Sequence, residues 1–309
     1  MSQSPRLIDA DAARAALPME KLVDALHAAF VAGAETPLRH RHALPENSSL
    51  LLMPAWQGRS ALGIKIVTVF PGNGALGLNA VSSTYLLCDG TTGKHIAIID
   101  GNEITGRRTA AASALAGRYL ARADAKDLLI VGSGHVAGLM AEAWSAVRPI
   151  HRVSVWNIRK PGAERLAAQL QVAGYNAEAV ENLEAAARDA DIVSCATLSQ
   201  TPLVRGAWLK PGTHLDLVGA YMPTMREADD DAVRNARVFI DTDAALAEAG
   251  DIIQPLQSGV IAKSDIAGTL YSLCRGEVQG RRDATEKTLF KSVGSAIEDL
   301  AAAALVVAG

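Results

Sequence analysis

The chain has 309 residues, 49% of them hydrophobic and 20% charged, which excludes disorder as its main state and leaves room for two domains. A net charge of −3 and a pI of about 6.2 argue against a surface for nucleic acid or anionic membranes. We therefore expect small molecules as its partners.

The cysteines and the N-terminus favour a cytoplasmic protein. Cys88, Cys195 and Cys274 are far apart, form no CxxC pair and lie in apolar segments, so we expect reduced, packed thiols and no metal site. The first residues do not resemble a signal peptide, and no stretch reaches the roughly 18 consecutive apolar residues of a membrane span.

The first 100 residues predict helices followed by a strand meander. Residues 11–30 carry apolar side chains at helical spacing, and we expect Pro18 at the start of the main helix. Short apolar or alternating runs then predict strands, the first of them closed by Pro54: residues 50–54, 61–70, 83–88 and 95–99.

Lys65 lies inside the apolar strand 61–70. A buried charge costs several kcal/mol, roughly, unless it is paired or faces a binding site. The alternative is an edge lysine whose long stem reaches water.

A helix is predicted for residues 110–120, with Arg107 and Arg108 at its start. Two cations there oppose the positive end of the helix dipole, so an anion such as a substrate carboxylate is needed to explain them. With Arg39 and Arg41 upstream, this part of the chain has several cations and no matching acidic cluster. The alternative is that at least one arginine of each pair lies on the surface.

Residues 127–137 have the pattern of a dinucleotide-binding turn. An apolar strand, 128–131, runs into Gly132-x-Gly134-x-x-Ala137, which opens a helical pattern. The first glycine allows the tight turn, the second lets a pyrophosphate approach, and the alanine lets the helix pack on the strand. Free N–H groups at the helix start face the phosphates. We expect the turn to contact the cofactor through Gly132, Gly134, His135, Val136 and Ala137.

The next strand, 150–156, ends at Asn157-Ile158-Arg159-Lys160. An NAD enzyme would place a ribose-binding acid there, and this chain has none. Arg159 and Lys160 suit the 2′-phosphate of NADP, and we expect both to bind the cofactor. The alternative is a solvated basic loop.

The remaining chain continues an α/β pattern. Strands are predicted at 176–180, 191–196, 214–220 and 237–241, with a helix at 183–190. Thr197 follows the second of these strands, where open α/β sheets bind ligands, and we expect it to bind the cofactor.

Several motifs in this order resemble the ornithine cyclodeaminase/mu-crystallin family over nearly the whole chain. Besides the glycine turn, they are Pro37-Leu38-Arg39, Leu52-Met53-Pro54, Gly63-Ile64-Lys65, Val69-Phe70-Pro71, Thr105 to Ala111 and Leu289 to Gly294. The resemblance implies an α/β fold in which a Rossmann NAD(P)-binding domain, residues 121–289, is inserted in an α+β dimerisation and substrate domain, residues 1–120 and 290–309. It also implies a homodimer.

The resemblance also implies the site. Arg39, Lys65 and Arg108 would hold the substrate carboxylate. Trp156, Asn157 and Arg159 are similar to the NADP-selecting end of mu-crystallin. The resemblance therefore implies that Asn157 binds the cofactor and that the cofactor is NADP (NADPH), with NAD as the alternative. A last helix from about Ser292 to residue 307 would bring Ser292 to the nicotinamide, although a serine there is equally a helix cap.

Two positions depart from the cyclodeaminase pattern. Tyr221 stands where that enzyme has its catalytic aspartate, and Leu51 where it has a glutamate. A phenol is a poor base near pH 7, and a leucine cannot balance a second ammonium. An anion clamp and a hydride donor remain, which suit an imine reductase, with Lys65 able to deliver the proton if burial lowers its pKa.

We therefore predict NAD(P)H-dependent reduction of cyclic ketimine carboxylates, Δ1-pyrroline-2-carboxylate and Δ1-piperideine-2-carboxylate, to proline and pipecolate. Three alternatives remain open: ornithine cyclodeaminase, alanine dehydrogenase, and an NADP-dependent binding protein with little turnover.

Overall fold

The computed structural model describes residues 4–308, which form two compact units. The first runs up to Arg108 and resumes at Ser295, and the second is Thr109–Gly294. The sequence placed the breaks after residues 120 and 289. The role of the first unit in dimerisation stays a prediction.

The first unit contains a six-stranded sheet in the order β1-β6-β5-β4-β3-β2, antiparallel except for the β1–β6 pair. Its strands are β1 (Arg6–Ile8), β2 (His40–Ala43), β3 (Ser49–Gln57), β4 (Ala61–Val69), β5 (Val81–Asp89) and β6 (His95–Asp100). The predicted meander is present, but Pro54 lies inside β3 instead of closing it. The strand tolerates this proline because β2 pairs only with residues 49–52, so the missing N–H breaks no ladder on that side.

Three helices of this unit are α1 (Ala10–Ala16), α2 (Met19–Ala32) and α11 (Ala296–Ala308), and α2 begins directly after Pro18, as predicted. Helix α11 packs on α2 and on β3, β4 and β5, so it covers one face of the sheet. It begins at Ala296, not near Ser292 as predicted, because Gly294, with φ of +81°, turns the backbone just before it.

Helix α3 (Gly101–Leu120) begins several residues earlier than predicted. The Asp100 carboxylate accepts a 2.7 Å hydrogen bond from the N–H of Glu103 and so supplies the cap. Arg107 and Arg108 therefore lie within the helix. The argument that they oppose the dipole at a helix start was wrong.

The second unit contains a parallel eight-stranded sheet in the order β13-β12-β14-β11-β10-β7-β8-β9. The strands are β7 (Asp127–Val131), β8 (Arg152–Trp156), β9 (Ala177–Ala179), β10 (Ile192–Cys195), β11 (His214–Leu217), β12 (Arg237–Ile240), β13 (Ile266–Thr269) and β14 (Thr288–Lys291). The strands β9-β8-β7-β10-β11 have the 3-2-1-4-5 order of a Rossmann fold. All of them are parallel, and the order in which the chain adds strands to the sheet reverses between β7 and β10. This confirms the predicted fold class.

The helices of the second unit connect these strands. They are α4 (His135–Ser145), α5 (Lys160–Val172), α6 (Leu183–Asp189), α7 (Asp230–Arg234), α8 (Ala245–Glu248), α9 (Gly250–Gln257) and α10 (Leu270–Cys274). The central strands β7, β10 and β11 are buried, with Leu129, Val193 and Leu215 at 0% exposure in one apolar core. Strands buried along nearly their whole length, including the polar Ser194, His214 and Asp216, are typical of parallel sheets covered on both faces.

Within residues 4–308, no helix is long and apolar enough to cross a membrane, and no group of three His, Cys, Asp or Glu residues is placed to hold a metal ion. The three cysteines are buried and form no disulfide.

Candidate active site

Lys65 lies on β4, on the face of the sheet that α11 covers. Its side chain is 2% exposed, and Nζ lies 2.9 Å from Oδ1 and 2.8 Å from Oδ2 of Asp299. The ammonium also donates to Oγ1 of Thr105 at 3.2 Å. The lysine is therefore a paired buried charge, and the edge-lysine alternative does not hold.

Arg108 shares the same carboxylate. Its Nε donates to Oδ1 of Asp299 at 2.9 Å, and its Nη1 donates to Oε2 of Glu298 at 2.6 Å. Both acids are fully buried. The expectation that these cations have no matching acidic cluster was wrong, because the acids come from α11, 190 residues later in the chain.

The sequence did contain a feature that could have revealed the two acids. Glu298 and Asp299 are adjacent in the helix Ala-Ile-Glu-Asp-Leu-Ala-Ala-Ala-Ala-Leu-Val-Val-Ala, whose other residues are apolar. Acids in so apolar a helix are buried with it, and buried acids need cations.

The surroundings change the pKa values of Lys65 and Arg108 in opposite directions. Burial lowers the pKa of Lys65 to about 8, and Arg108 adds to this effect while Asp299 opposes it. Burial alone would also lower the pKa of Arg108, but Asp299 and Glu298 outweigh it and the pKa is raised. The cluster thus combines a permanent charge with an ammonium that can give up its proton near neutral pH.

Tyr85 on β5 lies directly across from Lys65 in the sheet. A Cβ atom on Gly63 would come within 2.3 Å of the Tyr85 hydroxyl, so the ring lies over the glycine. This hydroxyl is buried and has no hydrogen-bond partner in the described part of the chain. Burial, and to a lesser degree Asp299, raises its pKa.

Arg39 immediately precedes β2. His40 pairs with Leu52, and the next residue of β3, Met53, pairs with Lys65. Arg39 therefore lies two strands from Lys65, about 10 Å away at the usual strand spacing.

Arg107 is different: it is buried, and its Nε donates to the Leu17 carbonyl at 2.8 Å, which is a structural role at the end of α1.

The glycine turn after β7 has the geometry that a pyrophosphate requires. Gly132 has φ of +118°, and a Cβ there would lie 2.5 Å from the Ala196 carbonyl oxygen, whereas a Cβ on Gly134 would meet open space. Gly134 caps α4 without a side chain, so the first N–H groups of the helix are available, and His135 is exposed at this end. Val136 is half-buried and Ala137 is packed against the strand.

The segment after β8 packs closely against this turn. A Cβ on Gly162 would lie 2.5 Å from Oγ of Ser133 and 2.6 Å from Nδ2 of Asn157, and that amide donates to the Arg159 carbonyl at 3.0 Å. Lys160 lies 2.5 Å from Oε1 of Glu181, so its charge is already balanced. Arg159 is exposed and has no ion pair within residues 4–308.

Thr197 and Ser292 lie beyond the carboxyl ends of β10 and β14. Thr197 donates through N and Oγ1 to Oε1 of Glu227, at 2.7 and 2.8 Å. Ser292 is buried, and its N–H donates to the Leu217 carbonyl at 3.1 Å. The sequence reasoning did not identify Glu227, which is fully buried.

Comparisons with known proteins agree with this architecture. Residues 8–308 match the ornithine cyclodeaminase/mu-crystallin family. The chain is 39% identical to a Δ1-pyrroline-2-carboxylate reductase of Paracoccus denitrificans, over 87% of this chain and 89% of that protein.

Two solved structures share the fold. The Thermococcus litoralis Δ1-pyrroline-2-carboxylate reductase, in complex with NADH and L-proline, is 34% identical, with a TM-score of 0.93 over 98% of this chain and 96% of that one. An archaeal alanine dehydrogenase dimer with bound NAD is 28% identical, with a TM-score of 0.91 over 98% and 95% of the two chains.

Proposed function

Because the chain belongs to the ornithine cyclodeaminase/mu-crystallin family, we propose that it reduces cyclic ketimine carboxylates with NAD(P)H. The products would be proline from Δ1-pyrroline-2-carboxylate and pipecolate from Δ1-piperideine-2-carboxylate. The chain is an oxidoreductase, and the observation that carries the choice of reaction is the buried Lys65–Asp299–Arg108 cluster, in which a guanidinium and a titratable ammonium share one carboxylate.

Each residue of the cluster has a role in this reaction. The Arg108 guanidinium binds the substrate carboxylate, Arg39 adds a second cation, and the Lys65 ammonium protonates the imine nitrogen. Asp299 keeps both Lys65 and Arg108 oriented. When bound, the nicotinamide cofactor supplies the hydride to the imine carbon. Orientation of the reacting groups can contribute roughly 7–11 kcal/mol to lowering a barrier, so a rigid clamp is a large part of the catalysis.

The residues at the cyclodeaminase positions support reduction over deamination. Tyr221 is 46% exposed in the loop after β11, and Leu51 lies on β3 opposite Val67. Neither offers a carboxylate to activate an amine or to balance the distal ammonium of ornithine. A preformed cyclic imine has no second ammonium and releases no ammonia.

We propose NADPH as the preferred cofactor, with NADH also accepted. No acid follows β8 where a ribose 2′-hydroxyl would be bound, and the exposed Arg159 guanidinium suits a 2′-phosphate. The related structures contain NADH or NAD, so the preference depends on this chain's own residues.

The test is a comparison of three reactions with purified protein. We expect rapid NADPH oxidation with Δ1-piperideine-2-carboxylate, slow oxidation with pyruvate plus ammonia, and no proline or ammonia from ornithine plus NAD. Faster turnover of pyruvate plus ammonia would make the chain an alanine dehydrogenase. Steady ammonia release from ornithine would contradict the argument from Tyr221 and Leu51, and cofactor binding without any turnover would indicate a binding protein.

A further inference from the structure

Glu227 places a fully buried carboxylate at the carboxyl ends of the central parallel strands. Its Oε1 accepts hydrogen bonds from N and Oγ1 of Thr197, at 2.7 and 2.8 Å. Its Oε2 accepts from the N–H groups of Gly219 and Ala220, at 2.8 and 3.2 Å. The four donors belong to two different loops, one after β10 and the other after β11.

These two loops touch each other and the glycine turn. A Cβ on Gly219 would lie 1.8 Å from the Thr197 carbonyl oxygen, and a Cβ on Gly132 would lie 2.5 Å from the carbonyl oxygen of Ala196. The loop after β10 is therefore held between the glycine turn and the loop after β11. A shift of the loop after β10 would displace the glycine turn as well.

Glu227 is itself fixed by a second buried acid. Oδ1 of Asp251 accepts hydrogen bonds from the N–H groups of Glu227 and Ala228, at 2.8 and 3.2 Å. Lys291 on β14, also fully buried, lies 3.2 Å from Oδ2 of Asp251 and 3.8 Å from Oε2 of Glu227. Three buried charges are costly to keep, and here each has a partner.

The position of the two loops indicates which part of a dinucleotide they meet. In this fold the dinucleotide lies across the point where the strand order reverses, with the ribose next to adenine near the end of the second strand, which here is β8. The nicotinamide half therefore lies on the β10 and β11 side. The loops that begin at Thr197 and Gly219 are the ones on that side.

We propose that Glu227 is a positioning residue for the nicotinamide half of the cofactor, acting through the four hydrogen bonds that fix the loops after β10 and β11. The inference rests on the dinucleotide-binding part of the proposed function, and it does not depend on which imine is reduced. Glu227 itself need not touch the cofactor.

The experiment compares a complete cofactor with a fragment that lacks nicotinamide. In Glu227→Gln the amide NH2 replaces one oxygen and faces N–H donors that then lose their acceptor. We expect the Kd for NADH to rise about tenfold or more, and the Kd for ADP-ribose to change less than about twofold. Thr197→Val removes one of the four donors. It should raise the Kd for NADH by a smaller factor than Glu227→Gln does, and it should again change the Kd for ADP-ribose less than the Kd for NADH. Isothermal titration calorimetry with both ligands measures this.

Glu277→Gln, a neutralised glutamate on the surface of the same unit, is the matched control and should leave both Kd values unchanged. Equal weakening of NADH and ADP-ribose in Glu227→Gln would mean a general structural role and would overturn the proposal, as would unchanged NADH binding. Glu227→Asp, whose shorter side chain cannot reach all four donors, gives the same comparison if Glu227→Gln does not fold. Failure of the unmodified protein to bind either ligand would instead overturn the dinucleotide site, and this proposal with it.

Discussion

Lys65 and Arg108 share the carboxylate of Asp299, yet their surroundings act on their charges in opposite directions. Burial lowers the pKa of the lysine to about 8, whereas the two acids of α11 raise the pKa of the arginine. An enzyme that reduces an imine acid needs both kinds of group. The substrate carboxylate requires a partner whose positive charge is constant, and the imine nitrogen requires a proton donor.

The pKa of Lys65 predicts a pH dependence of kcat/KM, and Asp299→Asn should shift its midpoint. The ammonium is present below about pH 8 and is lost above it, so kcat/KM for the imine should fall as the pH rises through that value. Asp299 raises this pKa, so its neutralisation should shift the fall to lower pH. The substrate's own ionisation affects the unmodified enzyme and Asp299→Asn equally, so a difference between their two pH profiles comes from the enzyme. Identical midpoints would show that Lys65 is not the titrating group.

Arg108→Ala should reduce kcat/KM for the imine acid by about 100-fold or more, since losing a buried charge partner costs roughly 3 kcal/mol. Arg108→Lys keeps the charge but loses the forked geometry, so its loss should be smaller. Neither change should alter the Kd for NADPH more than about twofold. Steady-state kinetics, with a melting curve to confirm folding, test the assignment, and near-normal turnover of a folded Arg108→Ala enzyme would refute it.

Arg159→Ala should remove most of the preference for NADPH over NADH, because a hydrogen bond to a charged group contributes about 1.5–3 kcal/mol. Lys160→Ala is the comparison, because Lys160 was also predicted to bind the cofactor. Its ammonium already lies 2.5 Å from Glu181, so removing it should change the ratio of the two dissociation constants much less. If the ratio is the same in Arg159→Ala as in the unmodified protein, another residue recognises the phosphate.

At the scale of elements, β4 depends on the absence of a side chain at Gly63. The Tyr85 ring occupies that space, so Gly63→Ala forces a buried aromatic ring to move and should lower the free energy of unfolding by about 1–3 kcal/mol. Gly138→Ala in α4 is the control: the nearest atom would lie at an ordinary 3.7 Å, and alanine favours helix by roughly 0.5–1 kcal/mol. Urea unfolding of both variants should therefore give changes of opposite sign.

At the scale of the whole molecule, we propose a homodimer that buries the sheet face opposite α11. Apolar side chains on this face, Leu52, Ile64, Ile66 and Leu86, remain partly exposed in one chain, with Ile66 at 38%. A contiguous apolar face of this kind is typical of a protein interface.

Sedimentation should therefore give a mass of twice the 32.3 kDa of one chain. Ile66→Glu should shift the protein towards monomer, because it places a charge in an apolar contact. Val172→Glu, at a side chain in the second unit that is 91% exposed, should leave the mass unchanged. A monomer in the unmodified protein, or a dimer indifferent to Ile66→Glu, would contradict this interface.

What the sequence determined by itself is local. The strand, glycine turn and helix at residues 127–137 follow from the order of a few neighbouring residues, because backbone hydrogen bonds and the conformational freedom of Gly132 act within that span. The start of α2 at Pro18 was predicted for the same reason. The start of α3 was missed although Asp100 and Glu103 indicate it, since the alanine-rich stretch further on had the stronger helical pattern.

Only the tertiary structure decided which charges meet. Lys65 was recognisable as a charge that needs a partner, but Asp299 lies 234 residues away, and no periodicity connects them. The same holds for Glu227, whose carboxylate joins loops from two strands that are neighbours only in the sheet. An ion pair is selected by the packing of whole elements, here α11 against β4, and that packing depends on burial summed over many residues rather than on any short motif.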